Sequence, residues 1–541
     1  MRMNVPTPSA TSQLLRTRIG KVCVAIIGST AAEMIEKANA VVKETPFLEF
    51  RLDYLEKPLN ALPKLKQFFA ENTAATGIAT CRRSANGGKF SGSIAAEMEI
   101  LSKAAGAGFH LVDLELESAE ALKKGELQKL RDTGIALIIS HHDFSSTKDL
   151  DKIYERIAPF QPDFFKIVPT AKMLTDNVTL MRFIERMNEN ANIIGICMGD
   201  AGIISRVLGL RAGSVFTFAA ATQGEETGPG QIAARTLIET YRIDQVDAAT
   251  KVYGVAGNPI KSSLSPVMMN TAFRRETVNA VYLALQATKV SDLLKLVAEI
   301  PIQGLSITMP HKQEIMAHLE NTDPLSAKIG ACNTILRAQD GKLYGFNTDV
   351  AGIVGPLEKR ISLRGAKALV LGAGGAARAA VFGLRDRGAE VFILNRTSET
   401  AQRLARQSGS KTIKKDAVAK TAFDVVINAT PIGMAGIKTT PLLDAKDLAN
   451  TKLVFDLVYN PIETPLIRLA RQLNIPFITG VEMFVQQGAR QFEIWTGKPA
   501  PEEEMLRVVI HALRQQAEAA AAEVPATVKT PAKASKAKKA S

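Results

Sequence analysis

The chain has 541 residues, 46% hydrophobic and 22% charged, with 38 Gly and 24 Pro. That is the composition of globular domains rather than of a disordered or fibrous chain, and at about 100–200 residues per domain it predicts three or four of them. The longest apolar runs, among them Val22–Gly28, Ala136–Ile139 and Ala368–Leu371, fall far short of the ~20 residues that span a bilayer, so no membrane partner is expected. Net charge is +13, and five Lys against one Glu in Glu523–Ser541 supply +4 of it. With one Trp in the chain and no basic run interleaved with aromatics in the body, acidic small molecules are the expected partners rather than nucleic acid.

Residues 1–20 carry Arg but no acidic residue and are expected to be a disordered lead with a faint likeness to a targeting segment. From Val22, short β-branched runs recur at Val22–Gly28, Phe47–Asp53, Gly77–Arg82, His110–Leu116, Ala136–His142, Phe164–Thr170, Asn192–Gly199 and Val215–Ala220, their starts 23 to 33 residues apart. Helix-like stretches at Ala31–Lys43, Ala95–Ala105, Asp149–Ile157 and Thr179–Asn190 lie between them. Eight strand–helix repeats predict a (β/α)8 barrel over 21–245, with an open doubly wound sheet as the alternative. Cys23, Cys81, Cys197 and Cys332 sit apart in apolar runs with no metal-ligand spacing; they read as buried thiols of a reducing cytoplasm, and no metal is expected.

The pattern stops near Asp244–Lys251 and restarts at Val252. A first lobe is expected over 251–351, completed by helices in about 482–522, and a second alternating lobe over 352–481. The Ala, Lys, Pro and Ser of 523–541 cannot bury enough apolar area to order themselves.

Functional residues of a barrel lie at the carboxyl ends of its strands. There the sequence places Glu49-x-Arg51-x-Asp53, Arg82, Ser140-x-His142-Asp143-Phe144 and Lys166, the last between Phe164-Phe165 and Ile167-Val168. A Lys so flanked is expected to be desolvated, with Arg51, Arg82 or Arg206 nearby, yielding the neutral amine that a Schiff base needs. Together with Gly87-Gly88, Ile204-Ser205-Arg206 and Thr227-x-Pro229-Gly230-Gln231, these motifs resemble type I 3-dehydroquinate dehydratases. The resemblance implies an imine on Lys166, proton transfer by His142, and a substrate shell of Glu49, Arg51, Arg82, Arg206, Thr227 and Gln231. Relatives usually carry Glu where Asn86 stands, and that Glu orients the histidine; a weakened dehydration follows as an expectation. Thr227 replaces a frequent Ser.

Gly372-Ala373-Gly374-Gly375-Ala376-Ala377 follows the strand Ala368–Leu371 and opens a helix, the setting that seats a pyrophosphate on helix N-terminal amides. The next strand ends in Asn395-Arg396-Thr397, where Arg in place of an acid favours NADP. Ser263-x-Ser265-Pro266, Ser306-Ile307-Thr308, Pro310-His311-Lys312, Asn333-Thr334, Asn347-Thr348-Asp349, Asp456-x-Val458-Tyr459 and Met483-x-x-x-Gln487 resemble shikimate dehydrogenases. That resemblance implies Lys312 and Asp349 as the catalytic pair. Ser263, Ser265, Ser306, Thr308, Asn333, Tyr459 and Gln487 then line the substrate, and Gly372, Ala373, Gly374, Gly375, Ala376, Asn395, Arg396 and Thr397 hold NADP. Many NADP-preferring relatives place a second base where Thr400 stands. The two halves occur in the order of plant-type bifunctional dehydratase–dehydrogenases, which implies conversion of 3-dehydroquinate through 3-dehydroshikimate to shikimate. A quinate-acting dehydrogenase with an impaired first half, or a metabolite sensor that has lost catalysis, are the alternatives.

Overall fold

The computed structural model describes residues 19–123, 125–437 and 440–522; the expected tail over 523–541 and nearly all of the expected lead lie outside the described residues. Two compact units form: one runs to Thr348 and takes in Gly488–Pro501, the other holds Asp349–Gln487 and resumes at Glu502. Among the described residues no helix is long and apolar enough to cross a membrane.

The first unit begins with eight parallel strands: β1 Val22–Ile26, β2 Phe47–Arg51, β3 Thr76–Thr80, β4 Leu111–Glu115, β5 Ala136–His142, β6 Phe164–Val168, β7 Ile193–Gly195 and β8 Thr217–Ala220. They pair in the order β7-β6-β5-β4-β3-β2-β1-β8, a nearly closed barrel. Val215 N donates to Ile193 O (2.9 Å) where β7 and β8 approach. Alternation along each strand explains both faces. Leu48, Phe50, Val112, Leu114, Leu137, Ile139, Phe165 and Ile167 face the helices, whereas Phe47, Ile78, Leu111, Ile138, Phe164, Ile194, Phe216 and Phe218 fill the interior. Phe47 and Phe216 meet edge to face with centroids 4.8 Å apart, and each such buried ring contributes about 1.5–3 kcal/mol.

The expected helices form with small shifts at their ends. Ala31–Val41 starts where Thr30 Oγ1 accepts from Glu33 N (3.2 Å), and Ile94–Ala105 where Ser93 Oγ accepts from Ala96 N (3.2 Å), each cap being worth about 1 kcal/mol. The helix expected from Thr179 starts earlier, at Asp176, whose carboxylate accepts from Lys172 N (2.7 Å) and Met173 N (2.9 Å). Pro58–Glu71 is a helix that the sequence pattern did not suggest; Pro58 opens it and Pro63 lies inside, and prolines of that kind disguise helical periodicity.

The same unit continues into a mixed six-stranded sheet of order β10-β9-β11-β13-β14-β12, made of β9 Lys251–Gly257, β10 Ala280–Gln286, β11 Ile302–Ile307, β12 Asn321–Thr322, β13 Thr334–Arg337 and β14 Leu343–Phe346. Asp292 ties it to the barrel, accepting from Leu174 N (2.9 Å) and Thr175 Oγ1 (3.0 Å).

The second unit is a parallel sheet of order β17-β16-β15-β18-β19-β20, from β15 Lys367–Leu371, β16 Glu390–Leu394, β17 Lys411–Thr412, β18 Val425–Asn428, β19 Val454–Asp456 and β20 Phe477–Ile478. Strand order reverses between β15 and β18, the point at which Rossmann sheets take their dinucleotide.

Candidate active sites

Inside the barrel, the same period of two stacks polar residues above the phenylalanine floor. Glu49 and Arg51 of β2, Asp113 and Glu115 of β4, Ser140 and His142 of β5, and Lys166 of β6 stand on the inward face, joined by Arg82 just beyond β3. All eight residues expected from the first motif set, Glu49, Arg51, Arg82, His142, Lys166, Arg206, Thr227 and Gln231, line one cavity with Phe218.

Lys166 is 5% exposed, as its apolar flanks demanded. Its direct charged contacts are carboxylates, while Arg82, one of the arginines expected nearby, shares Asp113 Oδ2 with it: Nζ lies 2.7 Å from Asp113 Oδ2, 3.7 Å from Glu49 Oε1 and 3.9 Å from the centre of the Phe218 ring. Burial raises the Asp113 carboxyl, but Arg82 and Lys166 overcome it and hold the group well below its ordinary value. Burial likewise works against ionised Glu115, and Arg82 and His142 bring it down to about 2.

The three buried arginines differ in what they touch. Arg51 forks onto Asp53 through Nε (2.9 Å) and Nη2 (2.8 Å). Arg82 pairs with Asp113 (3.0 Å) and Glu115 and bonds Ser140 Oγ (2.8 Å). Arg206, 3% exposed, donates to Pro229 O (3.1 Å), its Nε meets no acceptor, and it makes no ion pair among the described residues. Burial lowers its pKa to about 10. A buried guanidinium left without a counter-charge is costly and is retained where an anion completes it. The loop beside it is braced by Thr227 N and Oγ1 donating to Gln231 Oε1 (2.6 and 3.1 Å).

His142 Nδ1 meets Glu115 Oε1 (2.9 Å), and its ring stacks on Phe144 at 6.4 Å. Asn86 lines the cavity but donates to Glu117 Oε2 (3.2 Å). The charge expected to be missing beside His142 is therefore supplied from β4. Asp113 and Glu115 escaped the sequence reading, although the acid-apolar alternation of Leu111-Val112-Asp113-Leu114-Glu115 was the available signal.

In the second sheet the expected hydroxyls and amides are linked in a buried chain. Tyr282 OH bonds Ser306 Oγ (2.5 Å) and also Ser265. Ser306 donates to Gln491 Oε1 (2.7 Å), and Gln491 Nε2 donates to Asn333 O (3.1 Å) and Thr334 Oγ1 (3.0 Å). Ser263 Oγ accepts from Ser265 N (3.3 Å), Thr308 N donates to Ala256 O (3.0 Å), and the Lys312 carbonyl accepts from Cys332 N (2.8 Å). Asn333 Nδ2 donates to Thr348 Oγ1 (2.9 Å). Tyr282 and Gln491 were missed; the second stands one helical turn after Gln487, a spacing that flags a shared face.

The remaining expected residues belong to the second unit. Asp349, 2% exposed, opens the helix Asp349–Glu358. Tyr459 stacks on Phe484 with centroids 4.2 Å apart, and Gln487 Nε2 donates to Phe484 O (2.8 Å). Gly372 has φ of 111°, and a Cβ there would stand 3.0 Å from Ala429 O, across the switch point. Gly374 precedes the helix Gly375–Asp386 and nothing lies within 4 Å of where its Cβ would be, leaving room for a phosphate to reach the first amides. Ala373 and Ala376 complete the turn, and Asn395, Arg396 and Thr397 follow β16, with Arg396 and Thr397 exposed and Asn395 Nδ2 bonded to Thr397 O (2.9 Å). This set fits a dinucleotide phosphate. Asp456 supports the turn after β18, accepting from Asn428 (2.9 Å) and Thr464 (2.6 Å); burial raises its carboxyl to about 6.

Residues 22–248 match the family model of type I 3-dehydroquinase, 255–335 that of the shikimate dehydrogenase substrate binding domain, 357–464 that of shikimate / quinate 5-dehydrogenase and 480–510 that of the shikimate 5'-dehydrogenase C-terminal domain. The chain is 33% identical over 511 residues to a chloroplastic bifunctional 3-dehydroquinate dehydratase/shikimate dehydrogenase of Arabidopsis thaliana, covering 89% of this chain and 83% of that one. A shikimate dehydrogenase (NADP(+)) of Syntrophobacter fumaroxidans is 38% identical over 257 residues, 47% of this chain and 90% of its own. The solved dehydroquinate dehydratase and shikimate dehydrogenase from S. pombe is 26% identical, covers 92% of this chain and 99% of that chain, and has a TM-score of 0.42. The chain belongs to the family of bifunctional 3-dehydroquinate dehydratase/shikimate dehydrogenases.

Proposed function

We propose that the chain dehydrates 3-dehydroquinate to 3-dehydroshikimate in its barrel, over residues 21–245, and reduces that product to shikimate with NADPH in the remainder. In this reading residues 251–351 with about 482–522 bind the substrate of the reduction and 352–481 bind NADP. The observation that carries the first half is convergence on one cavity of a buried Lys166, a carboxylate-paired His142 and an unpaired buried Arg206.

Arg206 receives the substrate carboxylate. The Lys166 amine attacks the ring ketone, and loss of water leaves an iminium that draws electrons from the adjacent C–H bond. The ring nitrogen of His142 opposite Glu115 removes that proton and then gives it to the departing hydroxyl, which leaves as water, a two-way role that suits an imidazole near neutral pH; a water then hydrolyses the iminium, releasing 3-dehydroshikimate and restoring the Lys166 amine. Glu49, held by Thr80 Oγ1 (2.8 Å), and Thr227 and Gln231 meet the substrate hydroxyls, while Arg51 and Arg82 set the charge of the wall.

In the second half, NADPH supplies hydride when bound. Lys312 donates a proton toward the substrate carbonyl and Asp349 is the second catalytic residue; Ser263, Ser265, Ser306, Thr308, Asn333, Tyr459 and Gln487 sort the hydroxyls. Arg396 with Asn395 and Thr397 receives the 2'-phosphate. The four buried cysteines, which form no disulfide among the described residues, support a reducing compartment, which we take to be the cytoplasm.

Steady-state NADPH oxidation by the purified chain tests both halves. Consumption with 3-dehydroquinate alone and with 3-dehydroshikimate, the first but not the second lost in Lys166→Ala, is the expected result. Consumption with neither overturns the reading.

A further inference from the structure

We propose that Glu115 is the positioning residue of His142, holding the imidazole through Nδ1 and balancing the positive ring that forms when the opposite nitrogen takes the substrate proton. This rests on the dehydratase reading of the cavity. Glu115 Oε1 and Oε2 lie 2.9 and 3.2 Å from His142 Nδ1, and Glu115 is 1% exposed. Register explains the meeting: Glu115 pairs with Ser140 across β4 and β5, and His142 follows Ser140 by two residues, on the same inward face.

The carboxylate is fixed. Arg82 pairs with it, and the Ser140 hydroxyl lies 2.8 Å from its Oε2 and 2.6 Å from Asp113 Oδ1. Asn86 does not serve the imidazole in this way. It is neutral, its amide donates to Glu117 Oε2 (3.2 Å), and the other oxygen of Glu117 meets His141 Nδ1 (3.0 Å). Two carboxylates, one on β4 and one in the short helix Leu116–Glu120 that follows it, therefore serve two adjacent histidines, and the one on His142 is the buried one.

The groups acting on His142 come from two strands and the segment after a third. Burial, then Arg82 of the segment after β3 and Lys166 of β6, favour the neutral ring, while Glu115 of β4 favours the charged one; Phe144 only stacks. Replacing Glu115 by a neutral isostere therefore leaves the ring neutral to lower pH and leaves the imidazolium without its counter-charge during turnover.

The test follows dehydration in the full chain, without NADPH, by ultraviolet absorbance of the conjugated enone, across pH, for wild type, Glu115→Gln, Glu115→Asp and Glu115→Gln with Asn86→Glu. Glu115→Gln is expected to lower kcat by about 10–100-fold with KM little changed, less than the roughly 100–10,000-fold worth of the acid–base group itself. It should also move the acid limb of kcat/KM down by about one pH unit. Asn86→Glu should restore part of kcat in the Gln background. Should Glu115→Gln fail to fold, Glu115→Asp keeps the charge on Arg82 while drawing it back from the ring, and a loss of kcat there carries the same meaning. Unchanged kcat and limb overturn the proposal, as does lost activity with an unmoved limb and no recovery by Asn86→Glu, the mark of a merely structural role. Borohydride reduction of wild type with 3-dehydroquinate reads the site assignment separately. An adduct on Lys166 upholds it whatever Glu115 does; no adduct removes the dehydratase reading and the proposal with it.

Discussion

Lys166 Nζ and Asp113 Oδ2 are 2.7 Å apart, on strands β6 and β4, and both side chains are buried. The lysine proposed to form the imine is thus seated directly against a carboxylate. The same carboxylate also meets Arg82 at 3.0 Å, so Asp113 stands between two cations and stays ionised. Removing its charge leaves Lys166 with Glu49 at 3.7 Å as its remaining carboxylate partner. Asp113→Asn is therefore expected to lower the dehydration kcat by about tenfold or more, the amine having lost the contact that seats it, with 3-dehydroshikimate reduction intact. An unchanged kcat contradicts a seating role for Asp113.

Under the proposed dehydratase reading, Arg206 trades stability for recognition. Its guanidinium is buried with one carbonyl partner, Pro229 O, which also accepts from Gly199 N (3.0 Å). Arg206→Met removes an uncompensated charge and leaves that carbonyl bonded, so the melting temperature should rise in the absence of substrate. The same variant should lose about 10–100-fold in dehydration kcat/KM, the worth of a charged hydrogen bond of roughly 1.5–3 kcal/mol, and leave 3-dehydroshikimate reduction unchanged. Calorimetry and the two separate assays read both effects.

Gly372→Ala should disable reduction alone. A Cβ at φ of 111° faces Ala429 O at 3.0 Å and Thr430 Cγ2 at 3.1 Å, and such a backbone position costs a side-chain-bearing residue about 1–3 kcal/mol. The turn must open, which moves the amides away from a bound phosphate. An increase in the NADPH KM of about tenfold or more is expected, in step with that cost, with dehydration intact.

Glu97 sets a pH dependence in the stability of the barrel. It is 1% exposed, accepts from Ser118 Oγ (2.8 Å), and burial raises its carboxyl from 4.5 to about 7. The folded chain holds this proton more tightly than the unfolded one, so its contribution is full below pH 4.5 and is lost as pH rises toward 7. Glu97→Gln should therefore stabilise the barrel by up to roughly 3 kcal/mol at pH 8 and by less than about 1 kcal/mol at pH 5. Denaturant midpoints at the two values measure it, and equal shifts at both contradict the assignment.

Cofactor choice is read most directly at Arg396. It is exposed after β16 and unaided by a base at Thr400, so Arg396→Asp should raise the NADPH KM by about tenfold, one charged contact to a phosphate being worth roughly 1.5–3 kcal/mol. NADH should be affected much less; equal losses with both would place the 2'-phosphate elsewhere.

The sequence by itself determined the barrel, the Rossmann lobe, the placement of Lys166 and His142 at neighbouring strand ends, and the glycine turn. Strand alternation, strand–helix period and a glycine run are local properties, and each repeats or stands out within a few tens of residues. It did not determine charge pairing. Arg51, Arg82 and Arg206 are the same residue type at the same rim, and only the folded barrel sets Asp113 and Glu115 beside Arg82, 31 and 33 residues away in the chain, while leaving Arg206 unpaired. The same holds for Gln491, which reaches Ser306 from 185 residues away, and for Glu115, which meets His142 only because β4 and β5 pair. Electrostatic energy depends on distance in space and on burial, and both are fixed by strand register and barrel closure rather than by neighbours along the chain.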